Sequence, residues 1–153
     1  MRGIGDRSSL RIVGLGIFGG LVGTILMDIV MMVTFVAVGE SWDLFFTMVG
    51  EKLGGGAIIG IALHNAVGMT GGFIFALLVI NVPVFEITSM KKGLLLGLAV
   101  GLITIPAGCI PLAIWLGESI VIVIAFSALP HIVWGTVLGW IMGYGLLTAK
   151  PRS

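Results

Sequence analysis

The chain has 153 residues, of which 58% are hydrophobic and 10% are charged, against roughly 25% charged residues in soluble globular proteins. This composition excludes a water-soluble globular protein and predicts a single transmembrane domain, residues 1–153. The formal net charge is only +1, and no basic cluster is present, so nucleic acid is excluded as a partner. The single cysteine, Cys109, excludes both a disulfide framework and a cysteine-based zinc cluster within one copy of the chain.

Four long apolar stretches follow one another along the chain. Each is longer than the roughly 20 residues that a helix needs to cross about 30 Å of hydrocarbon. The predicted spans are 12–38, 57–80, 93–116 and 120–147. A short interfacial helix is predicted over about 42–52, with Trp42, Phe45 and Phe46 at the level of the lipid headgroups. The sequence therefore predicts an all-α integral membrane four-helix bundle.

Lysine and arginine are concentrated at the two termini and in the second connection. Because loops rich in these residues stay in the cytoplasm, this distribution predicts a cytoplasmic-membrane protein with both termini cytoplasmic. Only Lys52 lies on the opposite side. The residues that support this orientation are Arg2, Arg7, Arg11, Lys91, Lys92, Lys150 and Arg152.

Small residues recur at every fourth position in all four predicted spans. The second span contains His64-x3-Gly68-x3-Gly72, and the fourth repeats this pattern from His131. Positions four apart share one helix face, and small residues there let helices approach closely in lipid. The matching patterns predict a duplicated helical hairpin. The predicted packing glycines are Gly16, Gly20, Gly68, Gly72, Gly93, Gly97, Gly101, Gly135, Gly139 and Gly143.

Three prolines fall within the last two spans. Pro106 and Pro111 lie in the third span, and Pro130 directly precedes His131 in the fourth. Because proline lacks a backbone N–H and its ring clashes with the preceding turn, we expect these helices to kink or open locally.

Polar side chains inside the predicted spans need an explanation, because ionisable and amide groups are costly in hydrocarbon. They are Asp28, His64, Asn65 and His131. At 1.5 Å of rise per residue, Asp28 and the two histidines lie within about 5 Å of one level. The first interpretation is a structural cluster in which Asp28 accepts hydrogen bonds from one or both histidines.

Two further interpretations give these residues a chemical role. His64 and His131 would bind a haem from both faces, or would join Asp28 in holding a metal ion. Copper would suit the sulfur-bearing residues at similar depth, Met27, Met31, Met32, Met69 and Cys109. A proton or ion path through Asp28 is the third interpretation, although the inner halves of the spans offer no ionisable residue to continue it.

The GxxxGxxxT-x3-D start, the His-x3-Gly-x3-Gly repeat and the segment Leu-Pro-His-Ile-Val-Trp-Gly resemble small four-helix membrane proteins of uncharacterised function from archaea and bacteria. The apolar chain with minimal loops also resembles accessory subunits of archaeal membrane enzymes, such as ammonia monooxygenase or terminal oxidases. The resemblance implies a fold and no activity.

The sequence contains no nucleotide-binding loop, catalytic triad or carboxylate pair. We therefore expect a non-catalytic small subunit of a larger membrane complex, not an enzyme. Its expected partners are the lipid bilayer and other membrane subunits or further copies of the chain. No cofactor is expected, with haem or copper at His64 and His131 as the alternatives.

Overall fold

The computed structural model describes residues 6–148, and every regular element within that range is helical. The α-helices are α1 (Asp6–Ala37), α2 (Leu44–Glu51), α3 (Ala57–Asn81), α4 (Met90–Thr104), α5 (Ile110–Leu116) and α6 (Ile120–Leu147). Four apolar segments are long enough to cross a membrane: Ser9–Ala37, Ala57–Asn81, Met90–Leu116 and Ile120–Leu147. The predicted all-helical chain with four apolar spans is therefore confirmed. Three residues on which the predicted orientation depends, Arg2, Lys150 and Arg152, lie outside the described residues.

The long helices pack as neighbours in an order that differs from their order in the chain. Extended antiparallel contacts join α1 to α3, α1 to α6, and α4 to α6. Within residues 6–148, no interface of similar extent joins α3 to α4. The helices α1 and α6 therefore form the central pair, while α3 flanks α1 and α4 flanks α6.

Glycines bring α1 and α3 into backbone contact. A β-carbon added at Gly20 would overlap the carbonyl oxygen of Gly68, and one added at Gly72 would overlap that of Gly16. Lipid tails are as apolar as the helices, so helix association in a membrane depends on such close van der Waals contact. The four-residue spacing of these glycines is what creates the contact face.

The α4–α6 pair repeats this arrangement. A β-carbon at Gly97 would overlap the carbonyl oxygen of Gly135, and one at Gly139 would overlap that of Gly93. At the end of the same face, Gly143 lies against the side chain of Met90. In both the α1–α3 and the α4–α6 contact, glycines of one helix thus lie against glycines of the other.

The central contact between α1 and α6 combines glycine with large side chains. Gly19 and Gly23 form a second small face on α1, against Leu138 and Trp134 of α6 respectively. The indole Nε1 of Trp134 donates a hydrogen bond of 3.2 Å to the carbonyl oxygen of Gly20. The helix α1 therefore carries two glycine faces, one for each neighbour.

The third span is interrupted. One π-helical turn, Ile105–Cys109, separates α4 from α5 and contains Pro106. A wider turn at this point is an expected response to a proline that cannot donate to the preceding turn. Gly117 then ends α5 in the left-handed region, at a φ of 82°. In contrast, α6 continues through Pro130 as one helix.

The short helix α2 packs against the start of α3. A β-carbon added at Gly60 would overlap the carbonyl oxygen of Phe46, so the absence of a side chain permits this approach. Phe46 is fully buried, and its ring lies edge-on to the ring of His64. Phe46 is thus in contact with the protein and not with lipid, whereas Trp42 is exposed; the headgroup level of this helix stays a prediction.

Candidate functional site

Asp28 is a buried carboxylate on α1 that binds two side chains of α3. Its Oδ1 accepts a hydrogen bond of 2.6 Å from Nδ1 of His64, and its Oδ2 accepts one of 3.1 Å from Nδ2 of Asn65. The Asn65 amide also donates to the carbonyl oxygen of Ile61 at 2.9 Å. These contacts fix α1 against α3 immediately beyond the glycine face.

The two histidines are held in the same way by different acceptors. His131 donates from Nδ1 to the carbonyl oxygen of Ser127 at 2.8 Å, on its own helix. A carbonyl oxygen and an ionised carboxylate only accept, so a neutral ring beside either of them has its proton on Nδ1. In that tautomer, the Nε2 atoms of His64 and His131 carry the lone pairs. Asp28 bonds to His64 and not to His131.

His64 and His131 border the same two clefts, which have volumes of about 100 and 220 Å³. Met27 borders both clefts as well, and Met31 and Cys109 border the larger one. The structure thus brings three of the five sulfur-bearing residues singled out in the sequence beside the two imidazoles. Met32 lines a different depression, on the outside of α1.

A third cleft, of about 300 Å³, lies at the end of the molecule where α2 packs. It shares the lining residues Met31, Phe45 and Ser127 with the larger histidine cleft. Glu40 and Glu118 border the third cleft. A cleft with two carboxylates therefore neighbours the larger histidine cleft.

The halves of the four spans that lie on the side of the histidines away from α2 are less polar. The segments 12–24, 68–80, 93–104 and 132–147 contain no aspartate, glutamate, lysine, arginine or histidine. Within the described part of the chain, no buried side-chain nitrogen or oxygen lacks a hydrogen-bond partner. Asp28, His64, Asn65 and His131 thus form one polar level, with no charged or imidazole side chain in the segments beyond it.

The two helix pairs are equivalent in packing but not in chemistry. Thr24 lies against Gly68 in the first pair, and Gly101 lies against the backbone of His131 and Gly135 in the second. One turn beyond Thr24 is Asp28, whereas one turn beyond Gly101 is Ile105. The second pair therefore has a histidine without a carboxylate.

Two residues connect α1 to α6 by hydrogen bonds that the sequence analysis did not predict. Trp134 lies three residues after His131 and bridges α6 to α1. Arg11 donates to the carbonyl oxygen of Gly145 at 2.6 Å and joins the opposite ends of the same two helices. The position of Trp134 within the glycine pattern of α6 was the available signal, because a large ring between glycines indicates a contact with another helix.

Four apolar spans around an internal polar level define a multi-pass helical membrane protein in contact with the lipid bilayer. No protein-family model matches the chain, and no curated protein or solved structure matches it either.

Proposed function

We propose that the chain is a non-catalytic small subunit of a larger complex in the cytoplasmic membrane, where it has a structural role. The observation that carries this proposal is an exposed face of small residues on α3, formed by Ala62, Ala66 and Thr70. This face points away from the glycines that contact α1. A helix surface that meets only fluid lipid has no need of small side chains at this spacing, but a neighbouring helix does.

The small face is flanked by larger side chains. They are Ile58, Ile59, Leu63, Val67, Phe73 and Ile74, all of which are exposed. Small residues between bulky ones form a groove that accepts the ridge of another helix. We infer that this groove receives an apolar helix of a different membrane subunit.

The experiment is purification of the tagged full-length chain from its native membrane in mild detergent. A membrane polypeptide should co-purify at a fixed ratio. Leucine at both Ala62 and Ala66 should reduce its recovery about tenfold, which corresponds to roughly 1.4 kcal/mol of association energy. Ala99→Leu, the same type of substitution at an exposed position on α4, is the matched control and should leave recovery unchanged. A chain that purifies alone or only as a homo-oligomer, or a double variant that keeps the partner, would refute the proposal.

We further infer that the four helices close into a bundle in lipid and arose by duplication of a helical hairpin. The equivalent glycine contacts of the α1–α3 and α4–α6 pairs support this inference. The consecutive pairs run in the same direction, as in parallel repeats related by an axis along the membrane normal. The lysines at positions 91 and 92 support a cytoplasmic location for the α3–α4 connection and for both termini.

A further inference from the structure

We propose that His64 and His131, together with the thioethers of Met27 and Met31, bind one copper(I) ion between α1, α3 and α6. This metal site is independent of the subunit role. It rests on the hydrogen bonding of the two imidazoles, on the sulfur atoms around them, and on the clefts that both rings border.

The imidazoles are arranged as metal ligands usually are. A ligating histidine almost always donates its other ring N–H to a carboxylate or a backbone carbonyl, which fixes the ring and the tautomer. His64 donates to the carboxylate of Asp28, and His131 donates to the carbonyl of Ser127. Both rings border the same two clefts, and Nε2 is the free ligand atom in each.

The sulfur atoms select a soft ion. Met27 and Met31 are 5% and 3% exposed and both border the larger histidine cleft. Within residues 6–148, no three histidine, cysteine, aspartate or glutamate side chains form a group able to hold a metal, so a metal at the two imidazoles would need ligands of another type. The thioethers of Met27 and Met31 border the same cleft as both rings, and thioether with imidazole suits copper(I) better than zinc, magnesium or manganese.

The size of the clefts favours an ion over a haem. The two histidine clefts, at about 100 and 220 Å³, are smaller than the roughly 300–1,000 Å³ of pockets that enclose larger organic ligands. A single ion therefore fits the histidines better than a haem.

A cleft bordered by Glu40 and Glu118 neighbours the larger histidine cleft, and carboxylates beside an apolar cleft raise the local concentration of cations. Met31 borders both of these clefts. On the other side of the histidines, the segments 12–24, 68–80, 93–104 and 132–147 contain no charged or imidazole side chain.

The test is a copper(I) titration of the full-length chain in detergent, under anaerobic reducing conditions, against a coloured copper(I) chelator. One ion should bind per chain, and X-ray absorption should show both nitrogen and sulfur ligands. His131→Ala should weaken binding at least tenfold, and Asp28→Asn, which alters the group behind His64, should weaken it by about 10–100-fold. Circular dichroism would verify that each variant is helical.

Met31→Leu and Met32→Leu form a matched pair that does not depend on the fold surviving a histidine substitution. The two methionines are neighbours on α1, but only Met31 borders the histidine cleft. Met31→Leu should weaken copper(I) binding at least tenfold, and Met32→Leu should leave it unchanged. Failure of the wild-type chain to bind copper(I), equal binding by the two variants, or stoichiometric zinc(II) binding in its place would overturn the proposal. Co-purification of a partner polypeptide is measured separately, so either proposal can fail alone.

Discussion

Asp28 is the only carboxylate inside the four spans, and both its oxygens accept hydrogen bonds from α3. A buried donor that loses its acceptor costs more free energy than the hydrogen bond itself contributes. Loss of Asp28 should therefore lower the free energy of unfolding more than loss of any single donor around it.

Asp28→Leu should lower the free energy of unfolding by roughly 1–3 kcal/mol, because His64 Nδ1 then has no acceptor and Asn65 retains only the carbonyl oxygen of Ile61. Asp28→Asn keeps one acceptor oxygen and should be affected less. Thermal unfolding in detergent measures both. In a His64→Leu background, Asp28→Leu should cost less than in the wild type, since one of the two donors is already gone. Equal stability of the wild type and Asp28→Leu would contradict the role of Asp28 in joining α1 to α3.

The contact between Asp28 and His64 was predictable, because polar residues at one depth on glycine-patterned helices have few alternatives to meeting each other. The burial of Phe46 was not predictable from its sequence position. An aromatic residue beside a membrane span is equally suited to contact with lipid and to contact with another helix. The missing side chain at Gly60 of α3 is what permits the helix contact.

The glycines of α1 form two faces, and each face contacts a different neighbouring helix. Gly16 and Gly20 face α3, whereas Gly19 and Gly23 face α6. Gly14 has open space where its side chain would be. Glycine-to-alanine substitutions along this helix are therefore the same chemical change and differ only in whether the added methyl group overlaps a neighbouring helix.

Gly20→Ala should lower the free energy of unfolding by roughly 1–3 kcal/mol, because the added methyl group forces α1 and α3 apart. Gly14→Ala should be neutral or stabilising by up to about 1 kcal/mol, because alanine favours the helix and nothing opposes it. Thermal unfolding of the two variants in one detergent is the measurement. If both variants behave alike, backbone contact does not hold α1 to α3.

The existence of the four spans follows from length and polarity, but the identity of the central pair does not. Every span carries a glycine pattern, so the sequence permits several pairings of neighbours. The second glycine face of α1 and the large residues of α6, Trp134 and Leu138, determine that these two helices meet. Pro106 indicated an interruption in the third span, where the π-helical turn lies. Pro130 is also a proline within a span, but α6 continues through it.

The orientation of the whole molecule can be tested with two positions at opposite ends. Ser119 precedes α6 at the α2 end, and Thr88 precedes α4 at the other end; both are exposed. In a Cys109→Ala background, Ser119→Cys and Thr88→Cys each provide a single thiol. Because Lys91 and Lys92 resist translocation, Thr88 should lie in the cytoplasm and Ser119 outside.

A membrane-impermeant maleimide added to intact cells should therefore label the thiol of Ser119→Cys and leave that of Thr88→Cys unmodified until the membrane is permeabilised. The Cys109→Ala parent is the control and should remain unlabelled throughout. The reverse pattern would place both chain ends outside and would separate the acidic cleft at Glu40 and Glu118 from the extracellular solution. Labelling of both positions from one side would contradict the odd number of crossings between them, since only the third span, Met90–Leu116, separates Thr88 from Ser119. The experiment thus tests two predictions. It tests the orientation that the lysines and arginines predict, and it tests whether the interrupted third span crosses the membrane. If the chain folded back at the π-helical turn, both thiols would lie on the same side.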